Sequence, residues 1–162
     1  MEKNTRCPKK YGYRALLLKI RIHNEDEMTA LAKILAHDAK AGDCFALHGD
    51  LGAGKSFLAR ALMRCLGVTD TALPSPTFAI IQEYEAANQL RIAHMDWYRL
   101  ENEHDVEALG IYDFFEPPWL TMIEWSKRAS SLLPPHTKHI YIEIDLNQPE
   151  HRLVKIEPEG KK

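Results

Sequence analysis

Apolar residues recur along this chain with two different periods. Met28, Leu31, Ala32, Leu35 and Ala39 fall three and four positions apart, the spacing of one buried helix face. Asn24 followed by Glu27 resembles a capping box at the start of that helix, and Gly42 is its expected stop. Phe57, Leu58, Ala61, Leu62 and Leu66 draw a second helical stripe. Between the two, residues 44–47 form a short uninterrupted apolar run, the pattern of a strand buried on both faces. Further strands are predicted at 15–22, 120–123, 140–144 and 152–156, and at 78–84 and 89–95, a hairpin turning at Ala86, Ala87 and Asn88. Residues 101–109 are acid-rich and predict a short surface helix ended by Gly110. Pro74 and Pro76, Pro117 and Pro118, and Pro134 and Pro135 interrupt regular structure. The alternation predicts an α/β domain.

The junction of the buried strand and the second helix carries the most specific signal. Gly49, Gly54, Lys55 and Ser56 make G-x-x-x-x-G-K-S, the pattern of a phosphate-cradling loop. Glycines let the backbone curl until several N–H groups face one anion, and the helix that begins there adds the positive end of its dipole. In this pattern the lysine reaches the β- and γ-phosphates, and the hydroxyl of Ser56 holds Mg²⁺. Chance would produce these four positions in roughly one of two hundred chains of this length. The strand before the loop and the helix after it are the context the motif requires. Leu51, Gly52, Ala53, Gly54, Lys55 and Ser56 are therefore the expected nucleotide-binding residues. The fold predicted is the three-layer P-loop NTPase fold, with a mixed, mainly parallel sheet and an antiparallel hairpin.

Composition narrows the picture modestly. With 162 residues the chain suits one domain, assigned to 15–158. Residues 1–14 form a basic extension in which Lys3, Arg6, Lys9, Lys10 and Arg14 face only Glu2. It reads as a flexible tail or as a basic arm that touches RNA. The net charge of -2 supplies no global attraction to nucleic acid. Three scattered cysteines suit a reducing compartment, with Cys44 and Cys65 expected as small buried apolar groups. Neither a membrane-spanning stretch nor a secretory leader is visible, and a cytoplasmic location is expected.

Two predicted strands run into carboxylates, Asp96 and Glu124. Ligands of open α/β sheets sit beyond the carboxyl ends of the strands. An acid there, beside a P-loop, binds Mg²⁺ or orients an attacking water; elsewhere such acids merely cap the next turn. Thr77, in Ser75-Pro76-Thr77-Phe78, either places a hydroxyl near the γ-phosphate or belongs to an ordinary turn. Trp125 stacks on a base or covers the core, and Arg99 faces phosphate or pairs with a neighbouring acid. His94 reads as structural, and the eight histidines show no metal-ligand spacing.

The N-K-x-D and D-x-x-G signatures of a GTPase are absent. A small-metabolite kinase remains an alternative, as does a nucleotide-gated binding module without relevant hydrolysis. Against the kinase, residues 100–116 contain Glu101, Glu103, Asp105, Glu107, Asp113 and Glu116 but no Arg or Lys to clamp phosphates. Such acidity suits a protein-contact surface. The set G-D-L-G-A-G-K-S, S-P-T-F, His94-Met95-Asp96-Trp97-Tyr98-Arg99 and Ile123-Glu124-Trp125 resembles the TsaE (YjeE) family in order and spacing across residues 16–156. The resemblance implies a weak P-loop ATPase that uses ATP and Mg²⁺. Its partner would be the TsaD–TsaB heterodimer, which it activates or resets in forming N6-threonylcarbamoyladenosine beside the tRNA anticodon, with any tRNA contact indirect. Carried over by position, Lys55 and the loop amides bind phosphate, and Ser56 and Glu124 hold Mg²⁺. Asp96 positions the attacking water, Thr77 has a switch role and Trp125 lies near the nucleotide. Ser56-Phe57 stands where the family commonly has Thr-Thr, Trp97 replaces a usual Leu, and Met28 stands where a Thr near the nucleotide is expected.

Overall fold

The computed structural model describes residues 17–157, so the basic extension at 1–14 and the first residues of the predicted strand 15–22 lie outside the described residues. The elements follow as β1 (Leu18–Ile22), α1 (Glu25–Asp38), β2 (Cys44–His48), α2 (Lys55–Cys65), β3 (Ile81–Glu85), β4 (Arg91–Asp96), α3 (Glu103–Glu107), β5 (Trp119–Glu124), β6 (Lys138–Ile144) and β7 (Arg152–Glu157). One mixed sheet has the order β1-β7-β6-β2-β5-β4-β3. β2 runs parallel to both β5 and β6, and β4 runs parallel to β5. β7 and β3 run against their neighbours and put antiparallel pairs on the flanks.

Central strands β2 and β5 are buried throughout, because both faces of the sheet are covered. On one face α1 and α2 pack Leu31, Leu35, Leu58 and Leu62 against Phe45 and Met122. The other face carries a thinner layer: α3 and the 3-10 turns at Ile111–Phe115 and Ser126–Leu132. There Trp97, Val106, Ile111 and Phe115 meet Met95 and Ile123. This gives the predicted three layers. Among the described residues no helix is long and apolar enough to cross a membrane.

Local chemistry explains the boundaries. The Asn24 side chain accepts from the Glu27 amide at 2.9 Å, and the Glu27 carboxylate reaches back to the His23 amide at 2.8 Å. α1 stops at Asp38, before Gly42; Gly42, with φ 90°, instead turns the chain into β2 and donates its N–H to the Trp119 carbonyl. The strand predicted from residue 78 begins at Ile81. The Ile80 amide closes a turn on the Pro76 carbonyl at 2.7 Å, and Ile80 itself takes φ 67°, which leaves Phe78 79% exposed. At the hairpin, Asn88 and Gln89 adopt left-handed backbone, so β4 starts at Arg91 rather than 89. Cys44 is buried as expected, and its thiol is pushed up to about 12 by that burial. Cys65, expected inside, is exposed on the last turn of α2.

Trp97 is the largest fully buried side chain. Trp97→Ala is expected to destabilise the domain by about 3–5 kcal/mol, the usual effect of emptying an aromatic core position. Urea denaturation of the two proteins measures it.

Candidate functional site

β2 delivers the chain to Gly49, and α2 starts at Lys55 after Gly54, which caps the helix in the left-handed region at φ 113°. A Cβ on Gly49 would lie 2.4 Å from the Ile142 carbonyl oxygen, so the loop presses against β6 too closely for any side chain. From β7, Arg152 donates through Nε to the Ala53 carbonyl at 2.7 Å and through Nη2 to the Gly52 carbonyl at 3.4 Å. That guanidinium holds the carbonyl side of the loop and was not foreseen from sequence.

The Lys55 ammonium donates to the carbonyls of Gly49 (2.7 Å) and Asp50 (2.9 Å) and lies 4.5 Å from the centre of the Trp125 ring. Burial pushes it below the ordinary lysine value, while the carboxylates of Glu124, Asp96 and Asp50 pull the other way. One residue on, the Ser56 hydroxyl points at the Glu124 carboxylate, 2.9 Å from Oε1 and 3.1 Å from Oε2. Ser75 Oγ is 3.4 Å from Ser56 Oγ and 3.0 Å from Thr77 Oγ1, and Thr77 donates to Asp96 Oδ2 at 3.1 Å. The other Asp96 oxygen accepts the Tyr98 amide at 2.8 Å. Asp96 and Glu124 are paired residues of β4 and β5, so the two carboxylates stand side by side at the sheet edge. His94 Nε2 is 2.9 Å from Glu124 Oε1, with the ring wholly buried.

A cavity of about 370 Å³ opens over this edge. Leu51, Gly52, Gly54, Lys55, Ser56, Thr77, Asp96, Glu124 and Trp125 line it, nearly the whole set named from sequence. Ala53 is buried beneath the loop instead of facing the cavity. Trp125 takes φ 60°, which turns it off the end of β5 to lean on Tyr98, ring centres 4.9 Å apart. Arg99 does not line the cavity; its guanidinium lies 4.1 Å from the centre of the exposed Phe78 ring. Met28 is core, its terminal methyl 3.9 Å from where a Gly54 Cβ would stand. Ser75, Tyr98, Phe57 and Arg60 also line the cavity and were not singled out as binding residues. Ser75 and Tyr98 stood inside quoted motifs and Phe57 in the apolar stripe of the helix, whereas Arg60 left no signal beyond its place on the helix after the loop.

Chemically the cavity offers the backbone of the glycine loop, the Lys55 ammonium, the Arg60 guanidinium, the hydroxyls of Ser56, Ser75, Thr77 and Tyr98, and two carboxylates. The Ser56 hydroxyl and the Glu124 carboxylate bring oxygens together, hard donors of the kind that suit Mg²⁺. Among the described residues no cluster of three or more His, Cys, Asp or Glu would hold a metal alone. One hydroxyl and one carboxylate fit an ion that keeps water and phosphate ligands, the usual habit of Mg²⁺.

A glycine loop between a buried parallel strand and a helix, flanked by strand-end carboxylates on a mixed sheet, defines the P-loop NTPase fold class. The chain matches the family described as "Threonylcarbamoyl adenosine biosynthesis protein TsaE" over residues 22–154, and it belongs to that family, which serves tRNA threonylcarbamoyladenosine biosynthesis. It is 40% identical over 125 residues to the tRNA threonylcarbamoyladenosine biosynthesis protein TsaE of Bacillus subtilis, covering 77% of each chain. To the protein of that name from Rickettsia felis it is 37% identical over 123 residues, 76% of this chain and 71% of that one. The crystal structure of YdiB from Bacillus subtilis superposes with a TM-score of 0.74 at 32% identity, covering 90% of this chain and 87% of the other.

The residue before the loop has its own electrostatics. His48 Nε2 is 2.9 Å from His139 Nδ1, and the His48 ring stacks on Tyr141 at 4.5 Å. Burial first, then His139 and Lys127, push His48 down to about 4, with Glu157 opposing. An unfolded histidine, titrating near 6.5, takes up its proton first as pH falls. The His48 contribution to stability is therefore complete above about 6.5 and is lost as pH falls toward about 4. Urea midpoints at pH 7 and pH 5 are expected to separate less in His48→Gln than in wild type.

Proposed function

We propose that the protein is an ATP-binding, weakly hydrolysing P-loop ATPase of the cytoplasm that activates or resets the TsaD–TsaB complex during formation of N6-threonylcarbamoyladenosine in tRNA. The observation that carries this reading is the contact of the Ser56 hydroxyl with the Glu124 carboxylate, one residue from Lys55 and beside Asp96, in a chain of this family.

Lys55 leaves two loop carbonyls and the face of Trp125 for the β- and γ-phosphates, joining the amides of residues 52–56. Ser56 and Glu124 would hold Mg²⁺, which would supply charge neutralisation at the transferring phosphoryl group. Asp96, fixed by Thr77 and the Tyr98 amide, orients the attacking water and accepts its proton. Exposed Leu51 and Phe78 and half-exposed Tyr98 rise on loops at this edge. Such an apolar rim supports docking by another protein, as does the acidic segment 101–116.

Lys55→Ala is expected to weaken ATP binding roughly a hundredfold or more, since it removes charge-assisted contacts to phosphate. Glu124→Ala should retain metal-free nucleotide binding and lose both the gain from Mg²⁺ and turnover. Asp96→Ala should lose turnover alone. Calorimetric titration and single-turnover hydrolysis separate these outcomes; equal loss of binding in all three variants would remove the division of roles. Single-turnover hydrolysis is expected to accelerate when TsaD–TsaB is added, and an unchanged rate would overturn the partner-dependent reading. A phosphorylated small-molecule product from the isolated protein would point to a metabolite kinase instead.

A further inference from the structure

His94 lies two residues before Asp96 on β4, and its side chain therefore shares the Asp96 face of the sheet. Its register partner on β5 is Met122, two residues before Glu124. The imidazole thus sits one step behind the carboxylate pair and reaches diagonally across to the neighbouring strand, Nε2 to Glu124 Oε1 at 2.9 Å. The ring has no exposed surface, and Nδ1 meets no hydrogen-bond partner among the described residues.

Such a ring is an expensive way to fill space. A carboxylate oxygen accepts, so the contact requires hydrogen on Nε2, and Nδ1 is left a buried polar atom without a partner. A buried polar atom without a partner destabilises the fold, and each one calls for an explanation. What the ring supplies is direction. The terminal torsion of a glutamate is broad, so the side chain does not by itself fix which way its oxygens point. Ser56 donates a single proton, and its oxygen lies almost equally far from both Glu124 oxygens, at 2.9 and 3.1 Å. His94 breaks that near-symmetry by engaging Oε1.

We propose that His94 is a positioning residue that fixes the rotation of the Glu124 carboxylate, so that Oε2 together with Ser56 Oγ is presented to Mg²⁺. The inference rests on the reading of Ser56 and Glu124 as the Mg²⁺ ligands. Groups that orient metal ligands in this way typically change metal affinity by about 10- to 100-fold when removed.

The test compares wild type, His94→Leu and His94→Gln by calorimetric titration with a non-hydrolysable ATP analogue, once in EDTA and once in Mg²⁺. His94→Leu is expected to bind as wild type does in EDTA and to lose about 10- to 100-fold of the affinity gained from Mg²⁺. His94→Gln, whose amide nitrogen can occupy roughly the place of Nε2, should recover most of that gain. Equal loss in EDTA and Mg²⁺, or equal behaviour of the Leu and Gln variants, would mean a role in packing alone and overturn the proposal. So would a His94→Leu protein that responds to Mg²⁺ as wild type does. Should the Leu variant not fold, ¹⁵N spectra of His94 in the wild-type protein decide: hydrogen on Nε2 is required, and a ring with hydrogen on Nδ1 alone overturns the proposal. Wild type that gains nothing from Mg²⁺ would instead remove the metal reading itself, and the role of His94 with it.

Discussion

The in-register parallel pairing of β2, β5 and β4 is the constraint on which the site depends. Leu47 pairs with Glu124, and Glu124 pairs with Asp96, so three strands finish on one line. The loop leaves the first strand there and the two carboxylates terminate the others. Because β2 and β5 are buried on both faces, a slip of one residue would exchange every side chain between two different cores. It would also turn Glu124 away from Ser56 and bring Ile123 toward the hydroxyl. The apolar residues that hold the register therefore set the polar geometry as well. α1 and α2 secure it on one face, and Trp97 with Val106 and Ile111 on the other.

At that edge, charge is balanced before any ligand arrives. Burial disfavours the Lys55 ammonium while three carboxylates favour it, and two backbone carbonyls and an indole face occupy its protons. A phosphate exchanges these neutral contacts for charged ones without moving the lysine into an unfamiliar environment. The carboxylates are likewise tied down. Glu124 accepts from Ser56 and His94, and Asp96 from Thr77 and a backbone amide. Preorganised groups of this kind need little rearrangement when charge develops beside them.

What was legible in the sequence is what depends on short spacing. The glycine loop, its lysine and serine, and the carboxylate at each strand end all follow from local patterns, and the cavity collects them. The contacts that lock these groups were hidden because they join distant positions. Arg152 meets the loop 99 residues earlier in the chain, and His94 meets Glu124 30 residues later. Both depend on sheet order and register, which one sequence does not display. His94 carried a faint signal, since alternation places it on the same face as Asp96, yet nothing local says that a carboxylate of the next strand lies within reach. Errors at element ends have the same character. Phe78 has strong strand propensity, but the turn closed between Pro76 and Ile80 overrides it.

The acidic segment after Arg99 shows how packing changes the meaning of a composition. Read as sequence, its carboxylates argue against a phosphate-clamping lid. In the fold, Val106, Ile111 and Phe115 anchor the segment to the second core, so it is a wall of the domain and does not close over the cavity. Its exposed acids, Glu101, Glu103 and Glu107 among them, face solvent. Arg99, the nearest cation preceding it, is engaged with Phe78. The cations lining the cavity, Lys55 and Arg60, both belong to α2. On the proposed reading, a partner docked on the apolar rim at Leu51 and Phe78 would add groups from outside α2, the one helix that supplies the cations lining the cavity.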